Sequence, residues 1–291
     1  MNLLRIAVGV ALAGMLGPGR PAGGQASAPP LFTFVQISDA HVGPKTKSAT
    51  FSQIVKDING LDPAPAFVLV TGDLTEDGKP EEYAEYKKII ADLKPGIDHH
   101  ACPGNHETTV GRWSDFEKNI GPLYRSFAHK NCLFVLTNGT RDDQKYHENG
   151  AIDDKQLDWI RETLEKSREH THVVLANHYP LADVWGLYYI MGEGKNGDAL
   201  RKLVGDHKVT AWLGGHRHFD AHHHDGITSH VSCGWVHGYG KNAPPGYRVY
   251  DVFPDRMESR RILLSRDEAR YKVTGWDYVL PNPRNKSPRK Q

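Results

Sequence analysis

Five short segments of this chain each break off at a cluster of polar residues, and that recurrence limits the folds open to it. Residues 32–37 lead into Asp39-Ala40-His41, and residues 66–70 into Gly72-Asp73. Residues 97–102 lead into Gly104-Asn105-His106-Glu107, residues 173–176 into Asn177-His178, and residues 209–213 into Gly215-His216-Arg217-His218. Short apolar runs bounded by turn residues read as buried strands; the run at 97–102 is the poorest, because His99 and His100 interrupt it. Between the runs, Phe51, Ile54, Val55 and Ile58 recur at helical spacing, as do Tyr83, Tyr86, Ile90 and Leu93, and Leu157, Ile160 and Leu164. Asp153 or Asp154 is the N-cap expected for the last of these helices. Strands alternating with helices predict an α/β layer fold. In open α/β sheets ligands bind beyond the carboxyl ends of the strands, and all five clusters fall there. Residues 228–232, 247–252 and 262–264 are further strand-like pieces, expected to form a second sheet layer packed on the first. With no internal repeat or linker in sight, we expect one domain over residues 30–265. Residues 266–291 then form a C-terminal extension whose basic tail, from Arg284 to Lys290, is solvated.

Charge and hydropathy remove several function classes. Lys and Arg number 36 against 35 Asp and Glu, a formal charge of +1, so no global field draws the chain to nucleic acid or to an acidic membrane. Residues 1–26 read as a secretory signal peptide: Arg5 supplies the positive start, residues 6–16 an apolar stretch, and Gly24-Gln25-Ala26 small residues before a cut. The stretch is well short of the roughly 20 residues that span a bilayer, so a secreted or periplasmic location without a permanent membrane span is expected. Three cysteines, Cys102, Cys132 and Cys233, are too few for a disulfide framework; a bridge between Cys102 and Cys132, or buried free thiols, are both open.

Side chains at i and i+2 of an extended segment point the same way, so Asp39 with His41, and His216 with His218, can each aim two donors at one locus. Asp73 sits on a turn where a carboxylate can serve two metals, and Asn105 offers a neutral amide oxygen beside His106. Alone, each has an ordinary explanation, as a turn aspartate, a β-turn asparagine or a strand-end histidine; in order and at strand ends they form a constellation. Two divalent metals ~3.5–4 Å apart can lower the pKa of a bridging water, so the constellation reads as a two-metal hydrolytic site. His222-His223-His224 reads as a solvated loop. Residues 182–191, with Trp185, Tyr188 and Tyr189, read either as an aromatic wall over the site or as core. Trp235, His237, Tyr239 and Asn242 are candidates to line the pocket from the second sheet.

These five motifs resemble those of the calcineurin-like metallophosphoesterase superfamily over most of the chain from Phe34 to about Val252. Residues 37–41, 72–75 and 103–106, with Gly150-Ala151-Ile152-Asp153 and Gln156-Leu157-Asp158-Trp159, look most like its bacterial cyclic-nucleotide-phosphodiesterase-like branch. The resemblance implies a four-layer α/β/β/α sandwich and two divalent metal ions, Mn, Fe or Zn. It implies Asp39, His41 and His218 on the first metal, Asn105, His178 and His216 on the second, and Asp73 on both. His106 is then the residue that donates a proton to the leaving group, with Glu107 orienting it. Many relatives carry His where this chain has Asn177, and follow the ligand with Pro where it has Tyr179; these two positions, with Trp185 and His237, are the substrate-side candidates. The absence of a Tyr ligand beside Gly72-Asp73 argues against the iron–tyrosinate centre of purple acid phosphatases. The expected activity is hydrolysis of a small-molecule or lipid phosphoester, a diester before a monoester, with a non-catalytic binding module of the same fold as the remaining alternative.

Overall fold

The computed structural model describes residues 28–43, 48–182, 191, 196–234, 236, 245–264, 271–273 and 277–285. The expected signal peptide, Trp185 and His237 lie outside these residues, as do Tyr188, Tyr189, Trp235, Tyr239 and Asn242.

β1 (Phe32–Ile37) is buried along its whole length and runs parallel to β2 (Phe67–Thr71), which runs parallel to β3 (Asp98–Cys102). The other edge of β1 pairs antiparallel with β10 (Gly246–Val252), and β10 with β11 (Arg256–Leu264). β12 (Tyr271–Val273) and β13 (Tyr278–Pro281) both pair with β11, so the segment past residue 265 contributes strands to this first sheet. The second sheet runs β4 (Arg125–His129), β5 (Cys132–Leu136), β6 (His172–Ala176), β7 (Ala211–Gly214), β9 (Ser229–Ser232), β8 (Ala221–His224), with β5, β6, β7 and β9 parallel. Of the strand pieces expected to build the second layer, only residues 228–232 do so; the other two join the first sheet, where β10 continues the ladder of β1.

Three apolar layers follow. The helices α1 (Ser48–Ile58) and α2 (Pro80–Ile90) cover the outer face of the first sheet. α1 buries Phe51, Ile54, Val55 and Ile58, the four residues whose spacing predicted the helix. α2 starts at Pro80, whose fixed φ suits the first helical position, and Glu82 Oε2 accepts from Lys79 N at 3.2 Å. Between the sheets lies an aromatic core in which Phe34 stacks on Tyr250 at 4.6 Å and on Phe67 at 5.2 Å, while Phe134 meets Phe67 edge-on at 5.0 Å; such pairs add about 0.5–1.5 kcal/mol beyond their burial. The helices α4 (Asp154–Glu165) and α5 (Gly197–Asp206) cover the second sheet, and Asp153 caps α4 by accepting from Gln156 N at 2.7 Å. The short helix α3 (Trp113–Asn119) follows the third motif. The result is the expected α/β/β/α sandwich.

Two local expectations change, and one left open is decided. His222, His223 and His224 form the edge strand β8 rather than a loop, because each pairs with a residue of β9. Arg284 is not solvated: its guanidinium donates to the carbonyls of Ser167 (2.6 Å) and His207 (2.9 Å). The three cysteines are free and buried. Among the described residues, no helix is long and apolar enough to cross a membrane.

Candidate metal centre

The five motifs stand just beyond the carboxyl ends of β1, β2, β3, β6 and β7, parallel strands drawn from both sheets. Beyond β1 and β2 the two loops remain zipped: Asp39 N donates to Gly72 O, His41 N to Asp73 O and Val42 N to Leu74 O. The paired donors do not converge by strand alternation. Asp39, His41, Asp73, His216 and His218 all have positive φ, between 43° and 66°, so the chain swings through the left-handed region at each of them. That conformation is sparse for non-glycine residues and concentrates at functional sites, where surrounding structure must hold it in place. Gly215 allows the approach of the fifth motif to the first: a Cβ there would meet Ser38 Oγ at 1.7 Å and Asp39 Oδ2 at 2.7 Å. Gly72, at φ +82°, lies so close to His178 that a Cβ would meet its side chain at 2.5 Å.

Of the three donor groups that result, one being His41, Glu76 and His106, two share Asp73. Asp39, His41, Asp73 and His218 form one, Asp73, His178 and His216 the other, the ligand atoms within each lying no more than 4.8 Å apart. Asn105 belongs with the second, its Oδ1 3.0 Å from His178 Nε2. The bridge between them is a single oxygen. Asp73 Oδ2 lies 3.5 Å from His41 Nε2 and 3.2 Å from His178 Nε2, while Oδ1 accepts from His106 N at 3.0 Å.

Second bonds fix which lone pairs point inward. A carbonyl only accepts, so His178 Nδ1 carries the proton it donates to Thr71 O (2.9 Å), and His216 Nε2 the proton it donates to Glu148 O (3.0 Å). Their other nitrogens face each other at 3.1 Å, together with Asn105 Oδ1 and Asp73 Oδ2. Polar atoms gathered in this way, mostly buried, need either a shared proton or a cation among them, and the imidazole, carboxylate and amide donors suit a transition-metal ion. The residues therefore fit two divalent metals.

The electrostatics agree. Burial acts to raise Asp73, but the charges of His178, His106 and His41 outweigh it and hold the carboxyl well below its usual range. Asp39 is lowered likewise, burial being overcome by its hydrogen bond to His218 and the charge of that ring. Burial acts to lower His178, yet the carboxylates of Asp73 and Asp39 push it up to about 9. His216 is driven down to about 3 by burial and by His178.

His106 is half-buried beside the first group, its ring edge-on to His41 at 4.4 Å. Its Nδ1–H donates to Glu76 O at 2.6 Å, which leaves Nε2 as the atom able to pass a proton. Burial pulls this ring down; the Asp73 carboxylate and the Glu76 carbonyl more than offset it, and the ring is raised.

Glu107 does not orient His106. It is fully buried and accepts from Thr75 N (2.9 Å), Thr75 Oγ1 (2.9 Å) and Gly104 N (2.7 Å), pinning the second and third motif loops together. Burial and the Asp73 charge still raise it to about 7. Asn177 also turns away from the site: Oδ1 accepts from Tyr179 N, and Nδ2 donates to Thr137. Tyr179 is buried, its ring 4.7 Å from that of His216 and its hydroxyl donating to His147 O at 2.9 Å, so it braces a candidate ligand from behind.

Two features escaped sequence reasoning. Glu76 offers its carbonyl to His106 and its carboxylate, at 3.5 Å, to His41 Nδ1; Glu148 supplies the carbonyl that sets the His216 tautomer. Backbone acceptors carry no residue signature, and only the adjacency of Glu76 to Gly72-Asp73-Leu74-Thr75 could have drawn notice.

Comparison with known proteins places this geometry. Residues 32–220 match the Calcineurin-like phosphoesterase family. A probable glycerophosphodiester phosphodiesterase of Arcobacter nitrofigilis is 27% identical over 162 residues, 50% of this chain and 57% of that protein. A 3′,5′-cyclic-nucleotide phosphodiesterase of Nostoc sp. is 29% identical over 161 residues, 52% of this chain and 58% of its own. The matched region thus spans under two thirds of these relatives. A dimetal phosphatase from Danio rerio shares the fold, with a TM-score of 0.67 over 87% of this chain and 99% of that one at 16% identity.

Proposed function

The chain belongs to the Calcineurin-like phosphoesterase family, and we propose that it is an exported dinuclear-metal hydrolase of phosphoric esters, diesters before monoesters. The observation that carries this reading is Asp73 Oδ2, set between His41 Nε2 and His178 Nε2 where two donor groups meet. Asp39, His41 and His218 would hold one ion, Asn105, His178 and His216 the other, and Asp73 both. Bound there, two divalent ions would supply Lewis-acid polarisation of the phosphoryl oxygens and a water acidic enough to attack phosphorus in line at neutral pH. The protein's own part is positioning. Thr71 O and Glu148 O accept from His178 Nδ1 and His216 Nε2 and so turn the opposite nitrogens toward the centre, where a metal would take the place of any proton. Glu76 O accepts from His106 Nδ1 and so leaves Nε2 as the atom that would donate to the leaving oxygen, a role its raised pKa favours. The diester preference rests on the relatives named as phosphodiesterases. Export rests on the signal-peptide pattern of residues 1–26.

The test is metal content and hydrolysis together, on the chain that begins after Ala26. About two metals per chain and faster cleavage of bis- than of mono-nitrophenyl phosphate with Mn²⁺ are expected. Chelation and Asp73→Asn should abolish turnover, and His106→Ala should lower it about 10²- to 10⁴-fold. Turnover that survives chelation or Asp73→Asn would sink the dinuclear reading, and faster monoester cleavage would overturn the diester preference.

A further inference from the structure

The loop between β5 and α4, residues 137–153, runs along the rim of the centre and is tied down on two sides. On one side Arg112 donates to Asp142 O (3.0 Å) and to Gln144 Oε1 (2.7 Å), and Gln144 Nε2 donates to Val110 O (2.6 Å). On the other, the carbonyls of His147 and Glu148 accept from Tyr179 and from His216. Between these anchors stands Tyr146. Its ring lies edge-on to His106 at 5.7 Å, yet the residue is 51% exposed. A large aromatic ring set at the lip of a site of charges and imidazoles, on a loop fixed by the centre's own residues, offers a binding surface.

On the reading proposed above, His106 gives its proton to the departing oxygen, so the leaving group exits on the side where Tyr146 stands. We infer that Tyr146 forms the leaving-group wall of this site and selects phosphoesters that carry a planar aromatic group, such as nucleosides, over those of compact polyols. A flat ring system can stack on the tyrosine ring, and such stacking tolerates varied ring chemistry because every aromatic system has a π-face. A polyol gains nothing comparable there. Stacking uses the ring face rather than the phenolic oxygen, so phenylalanine should serve equally.

Calorimetry with the Mn²⁺-loaded protein tests this through binding alone, using adenosine monophosphate, glycerol 3-phosphate and inorganic phosphate as probes. Wild type should hold adenosine monophosphate about tenfold more tightly than glycerol 3-phosphate. Tyr146→Ala should lose that margin while leaving inorganic phosphate binding and the thermal midpoint unchanged, and Tyr146→Phe should keep it. Wild type that binds two metals and cleaves the nitrophenyl diester but holds both organic phosphates equally overturns the inference and leaves the proposed function standing. So does a Tyr146→Ala variant that keeps the full margin, or one that weakens all three probes alike. A chain that binds neither metal nor any of the probes overturns both.

Discussion

Glu76 touches two histidines through different atoms, its carbonyl taking the Nδ1–H of His106 at 2.6 Å and its carboxylate lying 3.5 Å from His41 Nδ1. A carboxylate behind a metal-binding imidazole fixes the ring and raises its basicity, and loss of such support costs about 10- to 100-fold in metal affinity. Glu76→Gln removes the charge and keeps the carbonyl, so it should weaken one of two metals by roughly tenfold while leaving kcat at saturating Mn²⁺ close to wild type. Competition with a coloured chelator reads the first quantity and steady-state kinetics the second. At this scale the seven candidate ligands and His106 were legible in the sequence, because Asp, His and Asn at strand ends carry their donor atoms in their side chains. What was not legible is how they converge. Strand alternation predicted a common direction for Asp39 and His41; the chain instead reaches it through left-handed residues, a property of the backbone that no side-chain pattern records.

Among the elements, β3 shows how a poor strand pattern becomes a strand. His99 and His100 break its apolar run, yet the whole segment pairs in parallel with β2. His99 Nε2 accepts from Tyr86 Oη at 2.8 Å, and the His100 ring stacks on Phe127 at 3.7 Å. Both are thereby kept neutral: burial, with the charges of His100 and Arg125, drives His99 down to about 3, and burial with Arg125 drives His100 to about 4. A histidine depressed in the folded state binds its proton first in the unfolded state. The stability it contributes is therefore complete above the ordinary value of 6.5 and drains away as pH falls from there toward the folded value. His99→Gln keeps an acceptor for Tyr86 and removes the titration, so its unfolding free energy should fall less steeply than wild type between pH 6.5 and about 3, by up to about 1.4 kcal/mol per pH unit. Denaturant titrations of the two proteins at several pH values give the difference, in which the protons of the metal centre cancel. Equal slopes would mean that His99 is not held neutral. The strand β11 was missed for a different reason: its buried Met257, Ser259 and Arg261 alternate with charged residues, so only its last three positions read as strand.

For the molecule as a whole, the centre lies across the seam between the sheets. Its residues come from beyond β1, β2 and β3 on one side and β6 and β7 on the other, and Gln36 ties the seam beneath them, donating to Gly214 O at 2.9 Å and accepting from Tyr250 Oη at 2.7 Å. Metal bound at this seam stabilises only the docked state. A ligand at a thousand times its Kd adds about 4 kcal/mol, so chelation should lower the thermal midpoint by on the order of 10 °C, and added Mn²⁺ should restore it; a midpoint indifferent to chelator would place the metals elsewhere. The layered fold was legible because alternating elements dictate it, whereas assigning β10 and β11 to a sheet required pairing information that local pattern does not hold. The span of the centre along the chain has a consequence for its supply. His41 and His218 meet at 3.3 Å although 177 positions separate them, so their donor group cannot assemble until the chain has folded at least as far as His218. If the proposed export carries the chain across a membrane unfolded, the centre would fill from whatever ions the receiving compartment holds, and, for donors as permissive as these, the environment of maturation rather than the coordination sphere would decide which element the protein carries.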